Sequence, residues 1–184
     1  MKRLFDLLLA LCAAVVLALP VAVVAVAVRL TSAGPALYWS DRVGRGNKIF
    51  KMPKFRSMQV GTPAVATHLL ADPKAHLTPI GSFLRKSSLD ELPQLFNVLK
   101  GDMTFVGTRP EVPKYTAHYT EEMMATFLLP AGVTSRTSIE YKDEEKLLEN
   151  AENADEVYIN EVLPAKMVYN LREIEKFSFL RDIS

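Results

Sequence analysis

The clearest feature of the hydropathy pattern is an apolar run near the start of the chain. Residues 7–28 contain no charged side chain. As an α-helix they would extend about 33 Å at about 1.5 Å per residue, which is enough to cross the hydrocarbon core of a bilayer. Pro20 lies inside the run, where it removes a backbone hydrogen bond and predicts a kink. The pattern therefore predicts a membrane helix that bends near Pro20.

Basic residues flank the apolar run on both sides, with Lys2 and Arg3 before it and Arg29 after it. For a spanning helix these charges are conflicting orientation signals. A helix that enters one leaflet, bends at its proline and returns satisfies both. We therefore expect a re-entrant membrane helix over residues 1–33 and a cytosolic domain over residues 34–184. The alternative is a secretory signal peptide, which the length of the run and the basic residues after it disfavour.

The pattern after the apolar run predicts a small, mostly helical α+β domain. Two short extended segments, at residues 36–40 and 48–58, flank a glycine-containing turn at residues 44–47 and predict a β-hairpin. Helices are predicted over residues 81–99, 112–128, 143–150, 155–163 and 164–177. The last helix is amphipathic, so it is expected to pack on the core or to lie in the bilayer interface. Its apolar face consists of Val168, Leu171, Ile174 and Phe177.

The charge distribution is more informative than the net charge of +1. Residues 41–56 carry six basic side chains and one acidic one, whereas residues 140–161 carry nine acidic side chains and two basic ones. The basic block lies close to the apolar run and suits phosphates, either on lipid head groups or on a substrate. Cys12 is the only cysteine, which excludes an internal disulfide, and the three histidines lack zinc-ligand spacing. No phosphate-loop or dinucleotide-binding motif is present.

Two adjacent acids, Asp90 and Glu91, are the first candidates for chemistry. One interpretation is a capping box formed by Ser88 and Glu91, although Pro93 is then too far inside the helix. The other is a catalytic carboxylate pair at a helix start, where a divalent cation and a phosphate are also favoured. A carboxylate can itself be the nucleophile. The residues alone leave both interpretations open.

Three cations are candidate phosphate ligands. Lys54 and Arg56 share one face if residues 48–58 form a strand, and Arg109 lies in a Gly-Thr-Arg-Pro turn. The fork of Arg109 matches phosphate oxygens. The alternatives are attraction of the lysine and arginine pair to anionic lipid and a structural role for Arg109.

Five sequence motifs together resemble the bacterial sugar transferase family, the small monotopic phosphoglycosyl transferases. They are KRLFD at 2–6, GPALY at 34–38, IFKMPKFRSM at 49–58, SLDELPQLFNVLKGDM at 88–103 and FVGTRP at 105–110. The resemblance extends from residue 2 to about residue 181, and the 88–103 motif is its most specific part. It implies transfer of a sugar 1-phosphate from a UDP-sugar to polyprenol phosphate, with release of UMP.

The same resemblance implies roles for individual residues. Asp90 would be the nucleophile that forms a covalent phosphosugar enzyme, and Glu91 with Asp90 would hold Mg²⁺. Arg109 and Lys142 would bind phosphate, and Lys54 with Arg56 would lie near the site. Four positions depart from the family pattern. Leu19 stands before Pro20 where a serine is often found, and Thr108 replaces a proline and is expected to loosen the turn of Arg109. Ser135 replaces a glycine, and Lys142 replaces an arginine.

The implied location is the cytoplasmic face of the bacterial inner membrane, in the assembly of a surface polysaccharide or glycoprotein glycan. Expected partners are the bilayer, the two substrates and downstream glycosyltransferases, and no nucleic acid. The specific sugar cannot be read from the chain. The alternatives are a catalytically silent membrane scaffold and a binder of anionic lipid that uses the basic block.

Overall fold

The computed structural model describes residues 1–63, 70, 72–141, 148, 151 and 153–178, and these form a mixed fold of helices and strands. In chain order its elements are α1 (Lys2–Thr31), β1 (Leu37–Gly44), β2 (Lys48–Phe55), α2 (Gly81–Lys86), α3 (Leu95–Lys100), β3 (Met103–Val106), α4 (Pro113–Thr116), β4 (Ala131–Thr134), α5 (Arg136–Glu140), α6 (Ala154–Val157) and α7 (Leu163–Glu175). Single 3₁₀ turns lie at Arg45–Asn47, Leu89–Gln94 and Met123–Leu128, and a π-helical turn at Tyr158–Val162 joins α6 to α7.

Helix α1 is the predicted apolar helix, and by length and composition it is able to cross a membrane. It runs for 30 residues and continues through Pro20. Near its start Ala10 is fully buried against β2 and α3, and near its end Val24 and Val28 pack against Phe55 and Leu84. Most of the side chains between Ala10 and Val24 are exposed or half-buried. Both ends of the helix therefore contact the same domain, while the re-entrant bend at Pro20 stays a prediction.

The predicted β-hairpin is present as the antiparallel pair β1 and β2, with Leu37 opposite Phe55 and Gly44 opposite Lys48. The connecting turn contains Gly46 with φ +67°, a left-handed conformation that glycine adopts without strain. Strand β1 is longer than predicted, because the predicted segment ended at residue 40. The hairpin places Lys54 near the end of β2 and Arg56 just after it.

The predicted helix over residues 81–99 is divided into three parts. Helix α2 ends at Lys86, Ser88 takes a left-handed φ of +55°, and the 3₁₀ turn at Leu89–Gln94 precedes α3. Pro93 lies inside the 3₁₀ turn and has no N–H to donate, which disfavours a regular α-helix here. Ser88 makes no side-chain capping hydrogen bond, so the capping-box interpretation is wrong. Gly101 ends α3 with φ +100°, close to the predicted helix end at residue 99.

A second sheet, which the pattern did not predict, pairs β3 with β4 in parallel. Thr104 lies opposite Gly132 in this sheet. The backbone of Gly132 also comes unusually close to that of Gly107, the residue directly after β3. A Cβ on Gly132 would lie 2.2 Å from the carbonyl oxygen of Gly107, so only glycine fits at this contact. The sheet fixes the start of the loop that carries Arg109.

The C-terminal part differs most from the predictions. The predicted helix over 112–128 is replaced by the short helix α4 and a 3₁₀ turn, and the predicted helix over 143–150 lies almost entirely outside the described residues. Helix α7 begins within a residue of its predicted start, but it buries Leu163, Met167 and Asn170. In the predicted apolar face Val168 and Phe177 are exposed, whereas Leu171 and Ile174 are half-buried, so only part of that face is covered. The side chain of Asn170 can be buried because Thr137 Oγ1 donates to its Oδ1 at 2.6 Å.

Candidate functional site

The carboxylate of Glu91 is the centre of the candidate site. Lys54 Nζ donates to Glu91 Oε1 at 2.7 Å, and the guanidinium of Arg109 reaches both oxygens, at 2.5 Å to Oε1 and 3.3 Å to Oε2. These three side chains come from β2, from the 3₁₀ turn before α3 and from the loop after β3. The structure therefore brings together Lys54, Arg109 and the Asp90–Glu91 pair, which the sequence suggested separately.

The two cations determine the charge state of Glu91. Burial alone raises the pKa of this carboxyl, but the charges and hydrogen bonds of Lys54 and Arg109 outweigh burial and bring the pKa down to about 2. In return, burial lowers the pKa of Lys54 while the charge of Glu91 opposes that shift. Glu91 is therefore an anion at every physiological pH, and its charge is already compensated.

Asp90 lies beside this cluster in a different environment. Its side chain is 8% exposed, and burial raises the pKa of its carboxyl, an effect that the charge of Lys54 opposes. Apart from its own backbone N–H, no group in the described part of the chain donates a hydrogen bond to it. A carboxylate that has lost much of its hydration and has few donors keeps its lone pairs available, which suits a nucleophile.

Two residues for which no role was predicted, Arg42 and Glu111, hold the loop of Arg109. Arg42 donates to the carbonyl of Pro110 at 3.1 Å and lies 3.9 Å from Glu111 Oε1. The carbonyl of Glu111 accepts from the backbone N–H of Val43 at 2.9 Å. These contacts attach the Arg109 loop to β1. The sequence contains a signal for both residues, since Arg42 lies in the basic block and Glu111 directly follows the Gly-Thr-Arg-Pro turn.

Arg56 is not brought to the Asp90–Glu91 pair. It is 6% exposed and donates to the carbonyl of Pro35 at 2.8 Å and to the carbonyl and hydroxyl of Ser32 at 3.0 and 2.9 Å. Strand β2 ends at Phe55, so the alternation that predicted a face shared with Lys54 no longer applies at Arg56. The Arg56 guanidinium therefore binds the segment at the end of α1.

Two backbone hydrogen bonds hold the turn of Arg109, and the loosening expected from Thr108 stays a prediction. The carbonyl of Thr108 accepts from Gly132 N at 2.8 Å, and Gly107 N donates to the carbonyl of Thr134 at 3.1 Å. Ser135, another departure from the family pattern, caps α5 by accepting from Ser138 N at 2.9 Å. Lys142 lies outside the described residues.

The carboxylates of Asp90 and Glu91 are also candidate ligands for Mg²⁺. The described residues contain no group of three or more His, Cys, Asp or Glu side chains placed to hold a metal ion. Glu91 has about four lone-pair positions, of which three accept from Lys54 and Arg109, so Oε2 retains one. Mg²⁺ commonly binds one or two carboxylates and completes its shell with water and substrate phosphates. The residues fit an ion that arrives with a diphosphate.

Comparison with known proteins gives one family match and several similar proteins. The family model described as "Bacterial sugar transferase" matches residues 1–182. A Bacillus subtilis protein, provisionally named an undecaprenyl-phosphate N-acetylgalactosaminyl 1-phosphate transferase, is 42% identical over 123 residues, which is 66% of this chain and 68% of that protein. The undecaprenyl-phosphate galactose phosphotransferase of Salmonella typhimurium is 44% identical over 116 residues, or 55% of this chain and 24% of that protein. The UDP-glucose:undecaprenyl-phosphate glucose-1-phosphate transferase of Xanthomonas campestris is 44% identical over 119 residues, or 64% of this chain and 25% of that protein. The chain thus matches only about a quarter of the Salmonella and Xanthomonas proteins.

Proposed function

The chain belongs to the bacterial sugar transferase family, and we propose that it transfers a sugar 1-phosphate from a UDP-sugar to undecaprenyl phosphate. The names of the three relatives share the lipid acceptor and differ in the sugar, which is N-acetylgalactosamine, galactose or glucose. These names therefore support the lipid acceptor and leave the sugar open. The products are UMP and a lipid-linked sugar diphosphate.

The observation that carries the proposal is the contrast between the two adjacent carboxylates. Glu91 is bound by two cations, whereas Asp90 is buried and accepts from no other described side chain. In the first step an oxygen of Asp90 attacks the β-phosphorus of the UDP-sugar. The bond between that phosphorus and the bridging diphosphate oxygen breaks, and UMP leaves with the electron pair. The result is an acyl phosphate that links Asp90 to the sugar.

In the second step a phosphate oxygen of undecaprenyl phosphate attacks the same phosphorus. The bond from phosphorus to Asp90 breaks, which restores the carboxylate and forms the diphosphate of the lipid-linked sugar. Each step exchanges one phosphorus–oxygen bond for another. No redox partner is needed, and no proton has to be taken up.

The cations stabilise the negative charge that surrounds the reacting phosphorus. The guanidinium of Arg109 contacts both oxygens of Glu91, and its side chain is 39% exposed. Its positive charge therefore lies where it can stabilise the phosphate oxygens of a substrate. Lys54 contacts Glu91, and its charge favours the anionic form of Asp90. Mg²⁺, held by Glu91 and Asp90, would neutralise diphosphate charge.

We further propose that the protein is monotopic and acts at the cytoplasmic face of the inner membrane, where α1 enters and returns by a bend at Pro20. Support comes from the apolar composition of α1 and from the contacts that both of its ends make with one domain. The site then lies near the plane of the lipid phosphates. The product would be used by downstream glycosyltransferases of a surface glycan pathway.

The test is an assay of the full chain with undecaprenyl phosphate, Mg²⁺ and a panel of UDP-sugars, in which released UMP is measured. Asp90→Asn is expected to abolish turnover and the covalent phosphosugar adduct, which mass spectrometry detects in wild type without acceptor. Asp41→Asn is the matched control, because Asp41 is an exposed aspartate that pairs with Lys51. Wild-type turnover by Asp90→Asn would contradict the nucleophile assignment. No turnover with any donor would favour the scaffold alternative.

A further inference from the structure

Charged side chains hold the start of α1 on the domain. Arg3 donates to the carbonyl of Val98 at 2.5 Å and to that of Leu99 at 2.8 Å, which are in the last turn of α3. The left-handed Gly101 leaves space for this fork, since a Cβ there would lie 3.2 Å from the Arg3 guanidinium. A helix end has unpaired carbonyls, so the contact satisfies both partners.

Asp6 adds a second set of bonds one turn further along α1. It is 4% exposed, and its carboxylate accepts from Thr104 Oγ1 at 2.7 Å and from Phe105 N at 3.5 Å. A buried carboxylate in an apolar helix is costly unless it is hydrogen-bonded in a defined geometry. Arg3 and Asp6 together, here called the proximal clamp, therefore fix the start of α1 against α3 and β3.

The other end of α1 is held by Arg56 and Ser32, here called the distal clamp. Two of the Arg56 nitrogens bind the Ser32 and Pro35 segment at 2.8 to 3.0 Å. Ser32 is the residue at which α1 ends, and its N–H and hydroxyl both donate to the carbonyl of Val28. Arg56 follows Lys54 by two residues, so this clamp is continuous with the strand that reaches Glu91.

The elements held by the clamps are the ones that carry the site. Helix α3 directly follows the 3₁₀ turn of Asp90 and Glu91, and β3 leads into the loop of Arg109. The domain therefore cannot turn relative to α1 without breaking the hydrogen bonds of Arg3, Asp6 or Arg56. Helix α1 and the site form one rigid unit.

We infer that Arg3, Asp6 and Arg56 are positioning residues that fix the height and orientation of Asp90 relative to the bilayer. The inference rests on the proposed function, in which one substrate is soluble and the other is confined to the membrane. A UDP-sugar reaches the site from water in any orientation of the domain, whereas the phosphate of the lipid acceptor stays at one depth. Loss of a clamp is therefore expected to slow the second step and to spare the first.

The competing explanation is that Arg3 acts only as a positive charge that orients the helix. The substitution Arg3→Lys distinguishes these two explanations, because it keeps the positive charge and loses the guanidinium that donates to two carbonyls. Asp6→Asn and Arg56→Lys test the same idea at two other contacts. Arg45→Lys is the matched control, since Arg45 is exposed in the hairpin turn and makes no hydrogen bond or ion pair with α1 in the described part of the chain.

The experiment uses full-length protein in lipid nanodiscs with the UDP-sugar that wild type accepts. For Arg3→Lys we expect the burst of UMP without acceptor to stay within about twofold of wild type, and kcat/KM for undecaprenyl phosphate in the bilayer to fall about tenfold. A short-chain, water-soluble polyprenol phosphate is expected to restore wild-type turnover. Asp6→Asn and Arg56→Lys are expected to show the same split, and Arg45→Lys to match wild type.

Three results would overturn the inference. Unchanged turnover of Arg3→Lys with the lipid acceptor means that charge alone is sufficient. An equal fall in the burst and in lipid turnover indicates a general structural defect and excludes a positioning role. A failure of the soluble acceptor to restore turnover excludes an effect of depth. A wild-type chain that gives no burst with any UDP-sugar overturns the proposed function as well, so the two failures are distinguishable.

Discussion

Substitution of Gly132 by alanine is expected to separate β3 from β4 and to displace Arg109. The added Cβ would lie 2.2, 2.3 and 2.6 Å from the carbonyl oxygen, nitrogen and carbonyl carbon of Gly107, where ordinary contacts are 3.4 to 4 Å. All three are backbone atoms, so no side-chain rotation relieves the overlap. The two strands must move apart by about 1 Å, which is the scale of change that a packed core tolerates poorly.

The energetic cost follows from the bonds at this contact. Gly132 N donates to the carbonyl of Thr108 at 2.8 Å, and Gly107 N donates to the carbonyl of Thr134 at 3.1 Å. A separation of about 1 Å breaks both bonds, each with a net value of about 1 kcal/mol. Overpacking adds about 1 to 3 kcal/mol. A total of about 4 kcal/mol corresponds to a fall in Tm of about 10 °C for a chain of this size.

Thermal unfolding and UMP release measured on the same preparation test this prediction. Displacement of Arg109 by about 1 Å is expected to reduce kcat/KM about a hundredfold. Gly46→Ala is the control, because a Cβ at Gly46 meets no atom within 4 Å and only its φ of +67° is strained, at a cost of about 1 kcal/mol. A Gly132→Ala protein that unfolds within about 2 °C of wild type and keeps its activity would refute the close contact between the two glycines.

Three further predictions concern the charges of the site. Lys54→Met removes a cation that favours the ionised forms of Asp90 and Glu91, so the pKa of each carboxyl rises. The acid limb of the pH profile of kcat/KM is therefore expected to move to higher pH. Lys54→Arg keeps the charge and is expected to leave that limb in place. Glu91 has a pKa of about 2 in the folded protein against 4.5 for the ordinary group, so its contribution to stability is complete above pH 4.5 and is lost as the pH falls toward 2. The Tm of Glu91→Gln is therefore expected to be lower than that of wild type at pH 7 and to depend less on pH between 4.5 and 2; equal slopes in the two proteins would contradict this. Arg109→Lys keeps the charge but loses the contact of the guanidinium with both oxygens of Glu91. The value of kcat/KM for the UDP-sugar is therefore expected to fall about tenfold. An unchanged value would show that the guanidinium is not required.

Much of the architecture could be predicted because it depends on neighbours along the chain. The apolar run, which becomes α1, and the turn containing Gly46 are such features, as is the end of α3 at Gly101. Local pattern also pointed to Asp90 and Glu91, since two adjacent carboxylates at a helix start are placed where a divalent cation and a phosphate are also favoured. Hydropathy and turn chemistry act over a few residues, so these elements need no knowledge of the rest of the fold.

The roles of individual charged residues could not be predicted in the same way. Arg56 and Lys54 are two residues apart in one basic block, yet Arg56 binds the end of α1 and Lys54 binds Glu91. Arg42 and Glu111 received no role from the sequence, although they hold the loop of Arg109. A cation suits a lipid phosphate, a substrate phosphate or a backbone carbonyl equally well. Which of these it meets depends on where distant segments of the chain lie.

The sequence by itself determined the family, the long apolar helix and the carboxylate pair, since each is encoded in a short continuous motif. Only the tertiary structure decided that Glu91 is neutralised by Lys54 and Arg109 while Asp90 accepts from no other described side chain. It also decided that the flanking charges of α1 are hydrogen-bonded to the domain. Desolvation and hydrogen bonding depend on groups that lie tens of residues apart along the chain, and only folding places those groups in contact.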